Sequence, residues 1–388
     1  MRMLFSLFVR IQARVAAGRI VLLGFCVASV LFAVGCEGKI EKTYDLLTEY
    51  DRNFDYYPDK SWLKASSPEL LGWSSEKLGA AREYTLALNT SAVLIVQNGV
   101  VVDAWGSPEV PYKVHSVRKS LMNALYGIHV AAGNIQLSET LAEIGIDDWK
   151  PPLSPEEKQA QVGDLLQARS GVYHPAAYET YNMRTQRPLP GSYAPGSHWF
   201  YNNWDFNALI TIFEKKTGRR MEQEFRARIA EPLGMEDFRP EHTRYLYDLK
   251  KSRHPAFLFV MSARDLARFG LLYLRQGKWR DRQIIPAEWI EQSMVAYSST
   301  KRINRLSGYG YLWWIGKDRY AALGSGGQTL VVIPRYQLVI VHLAEKLGKS
   351  DPLAHHQVGK LVELILEARP AIKNRRPKAK RPPVPGAH

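Results

Sequence analysis

Apolar residues crowd the chain at β spacing in two places. Ala92 to Gln97 and Val100 to Trp105 flank Asn98-Gly99, a pair suited to a type I′ turn, and together they predict a hairpin. Far downstream, Leu312 to Ile315, Tyr320 to Leu323, Thr329 to Ile333 and Leu338 to Leu343 read as strands joined by short loops. Loops that short favour antiparallel neighbours. Between the two groups the apolar spacing becomes helical. A run from Leu121 to Ala132 follows His115-Ser116-Val117-Arg118-Lys119-Ser120 and stops at Gly133. Ser154-Pro155-Glu156-Glu157 has the pattern of a helix start, and Val162 to Arg169 predicts a short helix stopping near Gly171. Trp204 to Thr217 is amphipathic and stops at Gly218, and Ser262 caps a helix running toward Gly277. After the last strands, Asp351-Pro352 is expected to cap a final helix through Leu361, Leu364 and Ile365.

This order, strands then helices then strands then helix, predicts an α+β fold. One antiparallel sheet is built from both ends of a body spanning 61–368. Its α/β part covers about 61–133 and 301–368, and a mainly helical insert occupies about 134–300. Residues 37–60 are polar and aromatic and are expected to form a tether.

Charge alters little in that picture. The formal net charge is +14 over 388 residues. Four of those charges lie within 1–35 and seven within 369–388, and neither segment holds an acid. The body is therefore nearly neutral, and no nucleic-acid face is implied. The Pro-, Lys- and Arg-rich segment 369–388 is expected to be a disordered basic tail. Cys26 and Cys36 are the two cysteines of the chain. No core disulfide, thiolate metal site or cysteine nucleophile is expected in the body, and no cofactor is implied.

The first 35 residues combine a basic flank with an apolar run from Ile20 to Gly35, too short for the roughly 20 residues of a spanning helix. They read as an export signal. Ala33-Val34-Gly35-Cys36 resembles the lipobox of bacterial lipoproteins, which implies lipidation of Cys36 and a body held on a membrane surface in the cell envelope; ordinary cleavage and an uncleaved signal anchor are the alternatives, and all three place the body outside the cytoplasm.

The candidate chemistry starts at Ser116 and Lys119. Three residues apart at a helix start, they share a helix face. A Ser hydroxyl needs a base to become a nucleophile, and a Lys supplies one if burial and positive charge hold its amine neutral. Free N–H groups at the helix N-terminus favour an oxyanion. Two further stretches bear on this. Tyr201 and Asn203 lie near the end of the stretch Pro195 to Trp204, a loop leading into a helix, where Asn203 also suits a helix cap. Gly324-Ser325-Gly326-Gly327-Gln328 precedes a strand, as a hairpin turn or as a backbone open to substrate. His115, His198 and His254 lack metal-type spacing, Trp313 and Trp314 are expected to pack in the sheet, and no Gly-x-Ser-x-Gly elbow surrounds a candidate Ser.

In this order, Ser-x-x-Lys, Tyr-x-Asn and a glycine-rich turn resemble the serine β-lactamase and penicillin-binding protein superfamily. The likeness is to its AmpC-like branch, with family VIII-like esterases and aminohexanoate-oligomer hydrolases. Glu231-Pro232-Leu233-Gly234-Met235 and Gly308-Tyr309-Gly310-Tyr311-Leu312-Trp313-Trp314 add to it. The resemblance spans about residues 70–366 and implies a β-lactamase/transpeptidase-like fold. It implies that Ser116 is acylated, with Lys119 and Tyr201 as acid and base. It implies that Asn203 orients substrate or Lys119, and that backbone around Gly326 and Gly327 joins Ser116 in an oxyanion hole. The third motif departs from the family: Gly324-Ser325-Gly326 stands where Lys-Thr-Gly or His-x-Gly is usual. Without that cation, an ester or short peptide-like amide is the expected substrate, ahead of a β-lactam or a D-alanyl-D-alanine stem. A catalytically silent cell-wall or peptide binder on the same fold is the rival reading.

Overall fold

Alternation in the hairpin strands sorts their side chains onto two faces, and the tertiary structure follows from that sorting. In a computed structural model, which describes residues 44–345 and 353–370, β3 (Thr90–Gln97) and β4 (Val100–Gly106) form the expected hairpin. Its turn residues Asn98 and Gly99 have φ of 47° and 81°, as a type I′ turn requires. Leu94 and Val96 point into one core, and Val93 and Ile95 into another on the opposite face.

The hairpin sits inside a ten-stranded sheet. The other strands are β1 (Tyr44–Leu47), β2 (Trp62–Ala65), β5 (Ser298–Ile303), β6 (Leu306–Tyr309), β7 (Trp314–Gly316), β8 (Tyr320–Gly324), β9 (Gln328–Ile333) and β10 (Leu338–Ala344). Their order is β1-β2-β4-β3-β10-β9-β8-β7-β6-β5. The N-terminal hairpin thus meets the C-terminal meander where β3 pairs antiparallel with β10, Ile95 opposite Ile340. All pairings are antiparallel except β1–β2 and β2–β4 at one edge. Helices α1 (Ser75–Leu86) and α5 (His355–Glu367) cover the face bearing Val93 and Ile95. The opposite core takes α2 (Arg118–Ala131), α3 (Asn203–Thr217) and α4 (Ala263–Leu274). The fold is the α+β arrangement read from the sequence.

Helix boundaries follow their caps. Ser262 Oγ accepts the Asp265 N–H at the start of α4, and Gly218 ends α3 in the left-handed region. Three local expectations differ. Ser154 and Glu157 make their reciprocal bonds, yet only a 3₁₀ turn over Glu157–Gln159 follows. The cap of α3 is Asn202, whose side chain accepts the Asp205 N–H, and Asn203 is the first helical residue. Residues 44–60, expected as tether, belong to the folded body. β1 pairs with β2, Tyr56 is buried, and the Asn98 amide donates to the Phe54 carbonyl over 2.9 Å. A Cβ on Gly99 would fall 1.8 Å from the Tyr56 carbonyl oxygen, so that glycine serves both the turn and the packing of this segment.

Cys36, the apolar leader, the Asp351-Pro352 cap and the tail beyond Pro370 lie outside the described residues. Among the described residues, no helix is long and apolar enough to cross a membrane.

Candidate active site

Ser116 lies in a 3₁₀ turn, His115–Val117, that leads directly into α2. The turn begins with His115 at φ 48°, and the chain then enters the helix without a side-chain cap. Helix α2 is held firmly behind it. Ser120 Oγ donates to the Leu312 carbonyl over 2.7 Å, and Asn123 donates to the Tyr311 carbonyl over 2.9 Å. Tyr273 donates to Asn123 Oδ1 over 2.6 Å. Trp289 packs against Gly127, where a Cβ would come within 2.3 Å of its ring.

One turn of helix brings Lys119 back to Ser116, with Nζ 2.8 Å from Oγ. Lys119 is buried, and its Nζ lies 4.7 Å from the centre of the Tyr201 ring and 4.5 Å from that of Phe206. Loss of hydration pushes the Lys119 amine well below the usual lysine range, and the Arg118 charge pushes in the same direction. The Tyr201 phenol is buried beside Ser116 and within the field of Arg118. Its pKa is pushed up to about 12, because burial outweighs the influence of Ser116 and the Arg118 charge. Ser116 and Lys119, joined by a hydrogen bond, thus meet a phenol from 82 to 85 positions further along the chain.

The glycine-rich turn between β8 and β9 borders the nucleophile. Gly324, the last residue of β8, makes the tight approach. A Cβ there would lie 2.4 Å from the Val114 carbonyl oxygen and 3.2 Å from the Ser116 backbone nitrogen. Gly326 and Gly327 form the turn itself, with φ of 80° and 88°. The Gly327 carbonyl accepts from Thr329 Oγ1 over 3.0 Å and is bonded to His342 Nδ1 over 2.8 Å. A carbonyl can only accept, so His342 carries its proton on Nδ1. The triplet read as lacking a cation is therefore a close-packed backbone strut at Gly324, followed by a tied-down turn.

Asn203 has a different place from the one its resemblance implied. It is buried in the first turn of α3, and its amide donates to the carbonyls of Ala177 and Tyr178 instead of meeting Lys119. It holds the 171–180 loop against the site. That loop presents Tyr178, whose hydroxyl lies 2.7 Å from His115 Nδ1 and whose ring stacks with the imidazole. His115, read as isolated, is thus bound to the wall of the site. His254 is buried against Thr211, and His198 stacks on Tyr193.

In front of Ser116 opens a cleft of about 580 Å³, lined by Trp199, Tyr201, Trp314, Ile303, Leu323 and Ser325 among others. The tryptophan pair is divided by strand geometry. Trp313 is fully buried against Phe269 and Tyr273, while Trp314 turns to the cleft and packs against Trp199 and Tyr201. Trp199 and Trp314 are the wall residues that the sequence reading left out of the site. Alternation along β7 was the signal that separated Trp314 from its neighbour. Among the described residues, no aspartate or glutamate lines this cleft; the ionisable side chains on its wall are Tyr181, Tyr201, Lys301 and His355.

A cluster of serine, phenol and a buried lysine pushed toward its neutral form can exchange protons and attack a carbonyl. Known proteins carry the same fold. The chain superposes on a provisionally named 6-aminohexanoate-dimer hydrolase from Bacillus anthracis with a TM-score of 0.58 and 21% identity, covering 80% of this chain and 86% of that one. It also superposes on a penicillin-binding protein homologue from Pyrococcus abyssi (TM-score 0.54, 21% identity, 76% and 78% covered). A third match is EstCE1, a hydrolase with promiscuous acyltransferase activity (TM-score 0.55, 14% identity, 75% and 98% covered). In sequence it is 22% identical to an uncharacterized protein of Alkalihalophilus pseudofirmus over 302 residues, 67% of this chain and 85% of that protein. Residues 83–363, most of the body, match the model of the Beta-lactamase family, and the chain belongs to that family.

Proposed function

We propose that this chain is a serine hydrolase that cleaves an ester or amide through an acyl-enzyme on Ser116. The observation that carries this reading is the 2.8 Å contact between Ser116 Oγ and a buried Lys119 amine whose surroundings push it toward its neutral form. A neutral amine accepts the hydroxyl proton as Oγ attacks the substrate carbonyl. The opposite shifts of the two partners divide the labour. Lys119 is the base, because its uncharged form is the favoured one. Tyr201 stays protonated at neutral pH and is the acid, returning a proton to the leaving oxygen or nitrogen. Water then takes the leaving group's place and hydrolyses the ester of Ser116 by the reverse path. Backbone N–H groups at Ser116 and in the Gly326-Gly327 turn are the donors for the oxyanion.

The cleft supports an uncharged or carboxylate-bearing substrate with an apolar acyl or leaving group. Trp199, Trp314 and Ile303 offer it apolar surface, and among the described residues the wall has no carboxylate to pair with a substrate ammonium. An esterase or amidase fits this wall. The purified chain is expected to take a fluorophosphonate label and to hydrolyse p-nitrophenyl esters. Ser116→Ala should lose the label entirely and lower the hydrolysis rate on the order of 10⁶-fold, the scale of nucleophile loss in another serine hydrolase. A folded wild type that takes no label and hydrolyses neither ester, amide nor β-lactam would favour the silent binder.

A further inference from the structure

Arg118 stands between the nucleophile and the base in sequence, and its surroundings are unusual for an arginine. The side chain is buried. Its Nη1 donates to the His115 carbonyl over 3.3 Å, and its guanidinium lies 5.5 Å over the Tyr178 ring. Nη2 is buried with no hydrogen-bond partner, and among the described residues no carboxylate forms an ion pair with it. An unpaired buried cation is costly, and a purely structural arginine is normally paired. A fold that keeps such a charge beside a reacting cluster keeps it for what it does there.

The neighbours show what that is. Tyr178 from the 171–180 loop, Tyr201 from the approach to α3 and Tyr309 from β6 all feel the Arg118 charge, and so do His115 and Lys119 beside it. Asp205, a buried acid in the first turn of α3, accepts the Ser170 hydroxyl, and burial raises its pKa to about 8. It is largely uncharged at neutral pH and does not offset the arginine.

We propose that Arg118 is a positioning residue whose fixed, unpaired positive charge adds to burial in disfavouring an ammonium on Lys119 and stabilises a phenolate on Tyr201 as it forms, so that the site acylates at neutral pH. This rests on the reading of Ser116 as the nucleophile and Lys119 as its base. An ammonium on Lys119 is disfavoured next to the guanidinium, whereas a phenolate on Tyr201 is favoured by it. The charge therefore helps each group toward the form it must take during acylation.

The test is the pH dependence of fluorophosphonate labelling in the full chain. Wild type is expected to show an acid limb set by loss of the Lys119 proton. Arg118→Met removes the charge at similar volume and should shift that limb upward by about one pH unit or more, slowing labelling below it about tenfold per unit. Arg118→Lys restores a charge and should bring the limb back toward wild type. If Arg118→Met does not fold, Arg118→Gln keeps a donor for the His115 carbonyl and carries the same comparison. Slower labelling with an unmoved limb in the uncharged variants would reduce Arg118 to packing and overturn the proposal. A wild type that is not labelled at Ser116 would overturn the catalytic reading, and the role of Arg118 with it.

Discussion

At the scale of single residues, Lys119 shows the conflict between chemistry and stability most directly. In the unfolded chain its amine is an ammonium at neutral pH. In the fold, burial and the Arg118 charge favour the neutral form, so folding must expel a proton. The unfolded state binds more protons than the folded one wherever the pH lies between the lowered folded pKa and the ordinary lysine value. Stability attributable to this position therefore rises with pH across that window and is least at its acid end. Lys119→Met keeps the side-chain volume and removes the titration. The variant is expected to melt at a higher temperature than wild type at pH 7, with the gap closing toward pH 10. Its acylation should fall about 10²- to 10⁴-fold, the usual loss for a general base. Thermal melts across pH, paired with labelling rates, check both halves. A melting point at pH 7 equal to or below that of wild type would show that the amine is not held neutral. In the sequence, the shared face of Ser116 and Lys119 was legible from spacing, because three helical residues return a side chain to the same face, whereas their candidacy for chemistry came from the order of the other motifs. Arg118 and Tyr178 were not legible, since nothing local marks a charge as unpaired or a loop tyrosine as part of a wall.

At the scale of elements, the site is a junction between the start of α2 and the end of β8. Gly324 is the point where they touch. A methyl group there meets backbone atoms of Val114 and Ser116, which cannot swing aside as a side-chain end would. Gly324→Ala should force β8 and the nucleophile turn apart at a cost of about 1–3 kcal/mol, as overpacking generally does. A displacement on the order of 1 Å at the reacting atoms should slow acylation about 10²-fold. Gly191 gives the control. Its φ of 77° disfavours alanine, yet a Cβ there meets nothing within 4 Å. Gly191→Ala should therefore lose about 1–2 kcal/mol of stability with a much smaller change in labelling rate. Urea denaturation and labelling rates of the two variants separate these effects; equal losses of rate would show that the contact at Gly324 is not what seats Ser116. The elements themselves were readable because their signals are local. Asn98-Gly99 fixed the hairpin, Ser262 opened α4, and Gly218 closed α3. Trp314 and Asn203 were misplaced because their roles depend on which face of β7 or which loop they meet, and that is decided by tertiary packing.

At the scale of the whole molecule, the sheet draws its edge from a segment whose composition looks like a linker. Residues 44–60 have no sustained alternation, and β1 and β2 are four residues each, too short to announce themselves. Their hold on the body is nevertheless extensive. Trp62 is fully buried, and its Nε1 donates to the Arg264 carbonyl over 3.3 Å. The buried Arg268 donates to the Asp59 carbonyl over 3.0 Å, linking this segment to α4. Without residues 44–66, Arg268 loses an acceptor, and β4 becomes an open edge bearing Val100, Val101 and Val102. Removing one buried tryptophan side chain costs about 3–5 kcal/mol, and a domain has only about 5–15 kcal/mol in all. An unpaired apolar edge also invites aggregation. A chain beginning at residue 44 is therefore expected to fold and to take the Ser116 label. One beginning at residue 67 should be recovered mainly as aggregate, although both retain Ser116, Lys119 and Tyr201. Soluble yield, thermal melts and labelling of the two chains decide the matter. If the shorter chain is soluble, melts at the same temperature and labels at the same rate, then the β1–β2 edge is dispensable. The site would in that case depend only on the antiparallel part of the sheet, from β4 to β5.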